Sequence, residues 1–203
     1  MHWRATTAAR GGLKRWLQAS GSLSARLAGM ADLKLAAGEG AGFSVRVLWQ
    51  GRAPLSTDEA CALGHGWQRV GYVREVLLHV NGCAVVFARS VTAHTDSVGA
   101  WRSVRGLGSR PLADVLFKSA AIARQPLQFK TLAARTPMRQ HVQRAVTQAA
   151  GVPLSARTLM ARRSVFRRHA GALLVMEVFI APSNVWHCPS GFALKSSARK
   201  IKP

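Results

Sequence analysis

The chain has 203 residues, with 48% hydrophobic and 18% charged side chains. This is a globular composition, it excludes disorder along the whole chain, and a chain of this length buries roughly 70% of its unfolded surface without help from a disulfide or metal. Lys and Arg number 29 against 8 Asp and Glu, a net charge of +21, which points to a nucleic acid, a membrane surface or a small anion as partner without choosing among them. Acid is scarce rather than base abundant. Between Asp114 and Glu177 there is no acid at all but eleven Lys or Arg.

Three cysteines, at positions 61, 83 and 188, have no CxxC spacing. The odd number fits a reducing, cytoplasmic setting with neither a disulfide framework nor a zinc site. The longest apolar run, Ala170 to Pro182, is shorter than the roughly 18 residues a membrane-spanning helix needs and has Glu177 in its middle. Residues 1–38 have the Arg-, Ser- and Ala-rich composition of a transit peptide. The helical spacing of Leu13, Trp16 and Leu17 reads instead as an ordinary amphipathic first helix.

In chain order, the pattern predicts a helix at Leu13–Leu17. A second helix runs from Leu23 toward Met30 with Ser22 as its N-cap, and a flexible joint follows at Gly38–Gly42. Alternating Phe43, Val45, Val47 and Trp49 predict a half-buried strand, and residues 50–66 a loop. Val70–Val80 and Cys83–Val91 flank Asn81-Gly82, a hairpin with a type I′ turn. Residues 92–101 read as a loop with a short helix at its end. Pro111 opens a helix through Ser119. Residues 120–160 read as mostly helical, interrupted near Pro137 and Gly151. Arg162–Arg168 and Leu173–Ala181 are the last two strands, and a basic tail, residues 183–203, is expected to be poorly ordered. The order predicts an α+β fold with a single antiparallel β-sheet and a first domain spanning residues 1–182.

Two positions stand out chemically. Tyr72, Arg74, Val76 and Leu78 share one strand face, so Arg74 is a guanidinium on an apolar face, costly to bury unless paired. Either an acid or an anionic ligand satisfies it; Glu75 points the other way. Glu177 lies in a strand apolar on both faces, as a salt-bridge partner for an Arg such as Arg74 or as a carboxyl that bonds a substrate hydroxyl or moves a proton. Leu23 and Leu112 each fall in a first helical turn, where main-chain N–H groups lack helical partners and suit carboxylates. Gly106-x-Gly108 is too incomplete for a phosphate loop. Arg157 to Arg168 lacks the aromatics of a single-strand-binding platform.

These positions fall in stretches that resemble the bacterial chorismate pyruvate-lyases of ubiquinone biosynthesis: GSLSARL (21–27), FSVRVLWQG (43–51), VREVLLHVNG (73–82), VVFARSV (85–91), LGSRPLADVLF (107–117), ARRSVF (161–166) and LLVMEVFIAP (173–182). The resemblance implies a compact antiparallel sheet with helices over a buried site. It implies chorismate as substrate and 4-hydroxybenzoate as a tightly held product. No cofactor and no metal are expected. It also implies side-chain contacts from Arg74 and Glu177 and main-chain contacts from Leu23 and Leu112. Met176 departs from the usual Thr, Ala113-Asp114 from the usual Gly, and Met160 from a common Trp; residues 131–158 are longer than in compact members. Two rivals differ in class. One is a non-catalytic small-anion-binding module of the same fold, the other a basic nucleic-acid-binding protein. A monomer is expected.

One expectation comes from hairpin register alone. A two-residue turn pairs Val80 with Cys83, and an unbroken ladder then sets Arg74 opposite Arg89. Two Arg on one apolar face repel unless an anion or a shared acid lies between them, so Arg89 is expected at the carboxylate end of the ligand. The alternative is a β-bulge that turns Arg89 to the solvent face.

Overall fold

The structure, a computed structural model, describes residues 2–36, 42–64, 66, 69–117, 120–151 and 153–187. Helices α1 (Gly11–Gln18) and α2 (Leu23–Ala36) precede strand β1 (Phe43–Pro54) and helix α3 (Thr57–Leu63). The hairpin β2 (Val70–Val80) and β3 (Cys83–Ala93) follows, then the short helices α4 (His94–Val98), α5 (Arg102–Arg105) and α6 (Ala113–Leu116). Strands β4 (Ala123–Arg124) and β5 (Gln128–Ala133), helix α7 (Pro137–Ala150), and strands β6 (Thr158–Arg168) and β7 (Gly171–Phe179) complete it, with a 3-10 turn at Ser183–His187.

The strands form one antiparallel sheet in the order β1-β2-β3-β7-β6-β4, with β5 also pairing β6. The α+β class and single antiparallel sheet expected from sequence are those observed. The hairpin is where the sequence puts it: Asn81 and Gly82 have φ of 52° and 78°, the left-handed pair a type I′ turn needs. Ser22 caps α2, its Oγ accepting from the Ala25 amide at 3.0 Å. The Gly38–Gly42 joint lies, except for Gly42, outside the described residues.

Several segments differ from expectation, among them the helix expected from Pro111, which is only the single turn Ala113–Leu116 among the described residues. Residues 50–66 are not a loop: β1 continues to Pro54, and α3 starts in a capping box, Ser56 Oγ accepting from the Glu59 amide while Glu59 accepts from the Ser56 amide. Residues 120–136 are not helix but carry the two strands β4 and β5 with turns between and after them, because Phe129 and Leu132 are buried as β5 zips onto the edge of β6. Pro137 does not interrupt a helix but opens α7, where a missing N–H costs nothing. The chain also stays packed past Pro182. Trp186 is 1% exposed, its ring 5.5 Å from Trp16 and 4.9 Å from Phe179. Residues 188–203 lie outside the described residues.

The two sheet faces carry different cores. On one, Leu77, Phe87, Val178 and Ala161 pack under Val142 and Val146 of α7, and Val73, Val91 and Leu174 pack under Leu63 of α3. On the other face two apolar clusters sit at opposite ends. Val76, Leu78, Val86 and Phe179 meet α1 and α2, while Tyr72, Leu173 and Phe166 meet Trp101, Val104, Leu107 and Leu116. Between these ends the rows of cross-strand neighbours turn polar.

Candidate active site

Register places the polar rows. Arg74 pairs with Ser90, Ser90 with Val175, and Val175 with Ser164. In the adjacent row Val76 pairs with Ala88, Ala88 with Glu177, and Glu177 with Arg162. Directly opposed residues share a face, so Arg74, Ser90, Ser164, Glu177 and Arg162 form one floor. The beginning of α2 and the segment Pro111–Phe117 cover it, enclosing a cavity that Leu23 and Leu112 both line. The space is small, about 50 Å³ as seen by the centre of a water molecule, against about 1080 Å³ for an open groove on the other face. Chemistry favours the smaller one, because the buried charges of the groove, Arg89, Glu59 and Glu75, are matched to one another, whereas the buried Arg74 of the cavity has no acidic partner among the described residues.

Arg74 is 3% exposed. Its Nη2 donates to the carbonyls of Gly108 and Arg110 at 2.8 and 3.0 Å, and its Nε is buried without a partner. Among the described residues no carboxylate forms an ion pair with it. Burial pulls the guanidinium below its ordinary value. The Gly106–Arg110 loop has a use after all: Gly108, at φ +54°, makes the turn that brings two carbonyls to Arg74.

Glu177 does not pair with Arg74. Its partner is Arg162, whose Nε donates to Glu177 Oε2 at 2.5 Å. Arg162 is 1% exposed, and its Nη1 donates to the carbonyls of Trp16, Leu17 and Ala19 at 3.0–3.1 Å. It thereby satisfies the C-terminal end of α1, where a cation is favourable, and ties that helix to the floor. Leu23 is the first residue of α2, and its amide belongs to the turn that has no helical carbonyl to bond. Leu112 flanks the start of α6.

Arg89 overturns the register expectation. The ladder shifts between Leu78 and His79, so that Arg89 stands opposite Glu75 and Ser90 opposite Arg74. The cause is a bulge at Val85, whose carbonyl accepts from the Ile180 and Ala181 amides instead of serving the hairpin. One extra residue turns every later side chain over. Arg89 therefore lies on the α3 and α7 face, not in solvent but buried in its own ion cluster. It donates to Glu59 at 2.7 Å, to Glu75 at 2.6 Å and to the Pro54 carbonyl at 3.1 Å, and His141 also bonds Glu75 at 2.7 Å. Burial would raise the Glu75 carboxyl, but the bonds from His141 and Arg89 hold it below its usual value.

Sequence reading missed Arg124 and Arg162. Arg162 was legible in principle, two residues from Ser164 in a strand next to Glu177, but only if strand order were known. Arg124 sits on a two-residue strand, opposite Phe166, in a segment that reads as helix.

The fold and the cavity together define a sheet-floored pocket lined by Arg74, Arg124 and Glu177. The chain belongs to the chorismate lyase family, whose profile matches residues 4–188. A protein of Albidiferax ferrireducens named probable chorismate pyruvate-lyase is 56% identical over 184 residues, 91% of this chain and 89% of the relative. Proteins of the same name from Cupriavidus pinatubonensis (40% identical over 83% of this chain and 80% of the relative) and Azoarcus sp. strain BH72 (41%, 83% and 83%) are also similar. Among solved structures, PhnF of Mycobacterium smegmatis superposes with a TM-score of 0.51 at 12% identity, over 80% of this chain and 65% of that one. An isolated PhnF C-terminal domain gives 0.50 at 20% identity, over 68% and 82%. At those identities the likeness is one of fold. Among the described residues no helix is long and apolar enough to cross a membrane.

Proposed function

We propose that the cavity binds chorismate and eliminates pyruvate from it, leaving 4-hydroxybenzoate. The observation that carries this reading is Arg74: a guanidinium buried to 3% exposure, unmatched by any carboxylate among the described residues, lining a cavity that Glu177 also lines. A buried, unpaired charge is expensive, and an anionic ligand is what offsets it.

Arg74 clamps the ring carboxylate, an arrangement that suits the planar fork of a guanidinium. The amides near Leu23 and Leu112 add donors to a carboxylate. The ring hydroxyl and ether oxygen then lie toward Glu177, held in place by Arg162. The reaction breaks the bond between the ring carbon and the ether oxygen. The neighbouring ring carbon loses its hydrogen as a proton, the enolpyruvate gains a proton to become pyruvate, and the ring becomes aromatic. Aromatisation supplies the driving force, so the protein's task is to hold one conformer, exclude water and aid one proton movement. The reading includes no metal or other cofactor, a monomer acting in the cytoplasm, and a product destined for ubiquinone synthesis.

The test is an ultraviolet assay for 4-hydroxybenzoate from chorismate, run with and without chelator. Turnover undiminished by chelator is expected. No turnover by protein that still binds 4-hydroxybenzoate would favour a non-catalytic binding module.

A further inference from the structure

The cavity holds more positive charge than its product needs. Two guanidinium groups line it, those of Arg74 and Arg124, and the one lining carboxylate, Glu177, is matched to Arg162. Neither lining guanidinium has an acidic partner among the described residues. 4-Hydroxybenzoate carries one carboxylate, whereas chorismate carries two.

We infer that Arg124 is the second anion-binding residue of this site, that it takes the enolpyruvyl carboxylate while Arg74 takes the ring carboxylate, and that it thereby separates substrate from product. The inference rests on the proposed reaction. Its evidence is placement. Arg124 enters from β4 at one side of the floor and Arg74 from β2 at the other, with β3, β7 and β6 between them. Arg124 is held in position without being satisfied. Its Nη1 donates to the Gly21 carbonyl at 3.1 Å, its guanidinium carbon lies 5.3 Å from the centre of the Phe166 ring, and its Nε is buried with no partner. No carboxylate among the described residues forms an ion pair with it. Burial and the nearby Arg162 both work against its charge, and Glu177 offsets them only in part.

The direction of the ligand follows from the same layout. With the ring carboxylate on Arg74, the para hydroxyl points away from it, toward Glu177. The ether oxygen is on the adjacent ring carbon, so the enolpyruvyl carboxylate falls at the Glu177 end, where Arg124 is. Once the ether bond breaks, that carboxylate departs with pyruvate and the benzoate keeps only its contact with Arg74. Arg124 also ties the carbonyl of Gly21, just before α2, so a dianion held by Arg124 would draw the covering turn onto the substrate.

The test uses the whole protein and three ligands: chorismate, 4-hydroxybenzoate, and a 4-hydroxybenzoate bearing a carboxymethyl ether on the adjacent ring carbon. Arg124→Gln keeps a donor for Gly21 and removes the charge; Arg124→Lys restores the charge. In Arg124→Gln, KM for chorismate and Kd for the ether dianion should rise on the order of tenfold to a hundredfold, the size of a lost charge-assisted bond. Kd for 4-hydroxybenzoate by titration calorimetry should change by less than about threefold, since its single carboxylate keeps its charged partner. Arg124→Lys should recover part of the difference. Equal losses for monoanion and dianion, or no loss for either, overturn the inference. Should wild-type protein not turn over chorismate, the reaction reading fails, while the ratio of the two Kd values still decides whether Arg124 reads a second carboxylate. Should Arg124→Gln not fold, the ratio is taken with wild type and Arg124→Lys alone, and a wild-type protein that binds the ether dianion no better than 4-hydroxybenzoate overturns the inference.

Discussion

Two buried arginines on neighbouring strands should respond to the same substitution in opposite ways. Arg74 and Arg89 are 3% and 8% exposed. Arg89 neutralises Glu59 and Glu75, so Arg89→Met leaves two buried carboxylates without their cation. Breaking a buried pair this way costs about 3–5 kcal/mol. For a chain of this size each kcal/mol moves Tm by about 2–4 °C, so a fall of roughly 6–20 °C is expected. Arg74→Met removes two bonds to carbonyls, about 1.5–3 kcal/mol each, but also removes a desolvated charge that costs several kcal/mol to bury unpaired. The two nearly cancel, and the Tm of the unliganded protein should move by only a few degrees. Ligand binding reverses the order. Arg74→Met should weaken 4-hydroxybenzoate by about 2–5 kcal/mol, roughly 30- to 4000-fold, whereas Arg89→Met, on the far face of the sheet, should leave Kd within a few-fold in whatever fraction folds. Calorimetric unfolding and titration of both variants decide it. A stable Arg89→Met that has lost affinity, or an Arg74→Met that is strongly destabilised yet binds normally, would refute the division between faces.

Glu177→Gln keeps the shape of the floor and should slow kcat more than it weakens 4-hydroxybenzoate binding; equal losses in both would reduce Glu177 to a structural partner of Arg162. Glu75 should make the fold acid-sensitive. Its carboxyl is held below its ordinary value of about 4.5 in the folded state, so the folded state binds fewer protons than the unfolded one. Its contribution is complete above that ordinary value and is lost as pH falls through the lowered folded value. Urea unfolding should show wild type losing stability more steeply than Glu75→Gln below about pH 4.5. Gly12→Ala should lower Tm and brighten or shift tryptophan emission, because a Cβ at Gly12 would lie 2.0 Å from the Trp186 carbonyl and push α1 off the turn that holds Trp186.

The sequence by itself determined the elements that local chemistry controls. Asn81-Gly82 fixes the hairpin turn because both residues tolerate positive φ, and Ser22 fixes the start of α2 by capping it. Alternation along β2 put Arg74 on the face with Tyr72, Val76 and Leu78, and sent Glu75 to the other. The capping box at Ser56 and Glu59 was equally legible and marks a helix that composition alone reads as loop. Tertiary structure decided what depends on partners distant in the chain. Whether residues 128–133 are helix or strand is settled by the open edge of β6. Which Arg meets Glu177 follows from β6 lying beside β7, with Arg74 two strands away on the other side. The face that Arg89 occupies turns on a single bulge residue, Val85, whose carbonyl is claimed by the chain after β7. Local rules specify the period of a strand, but a strand's neighbours specify its register, and in a sheet one residue of register exchanges a ligand-binding face for a structural one.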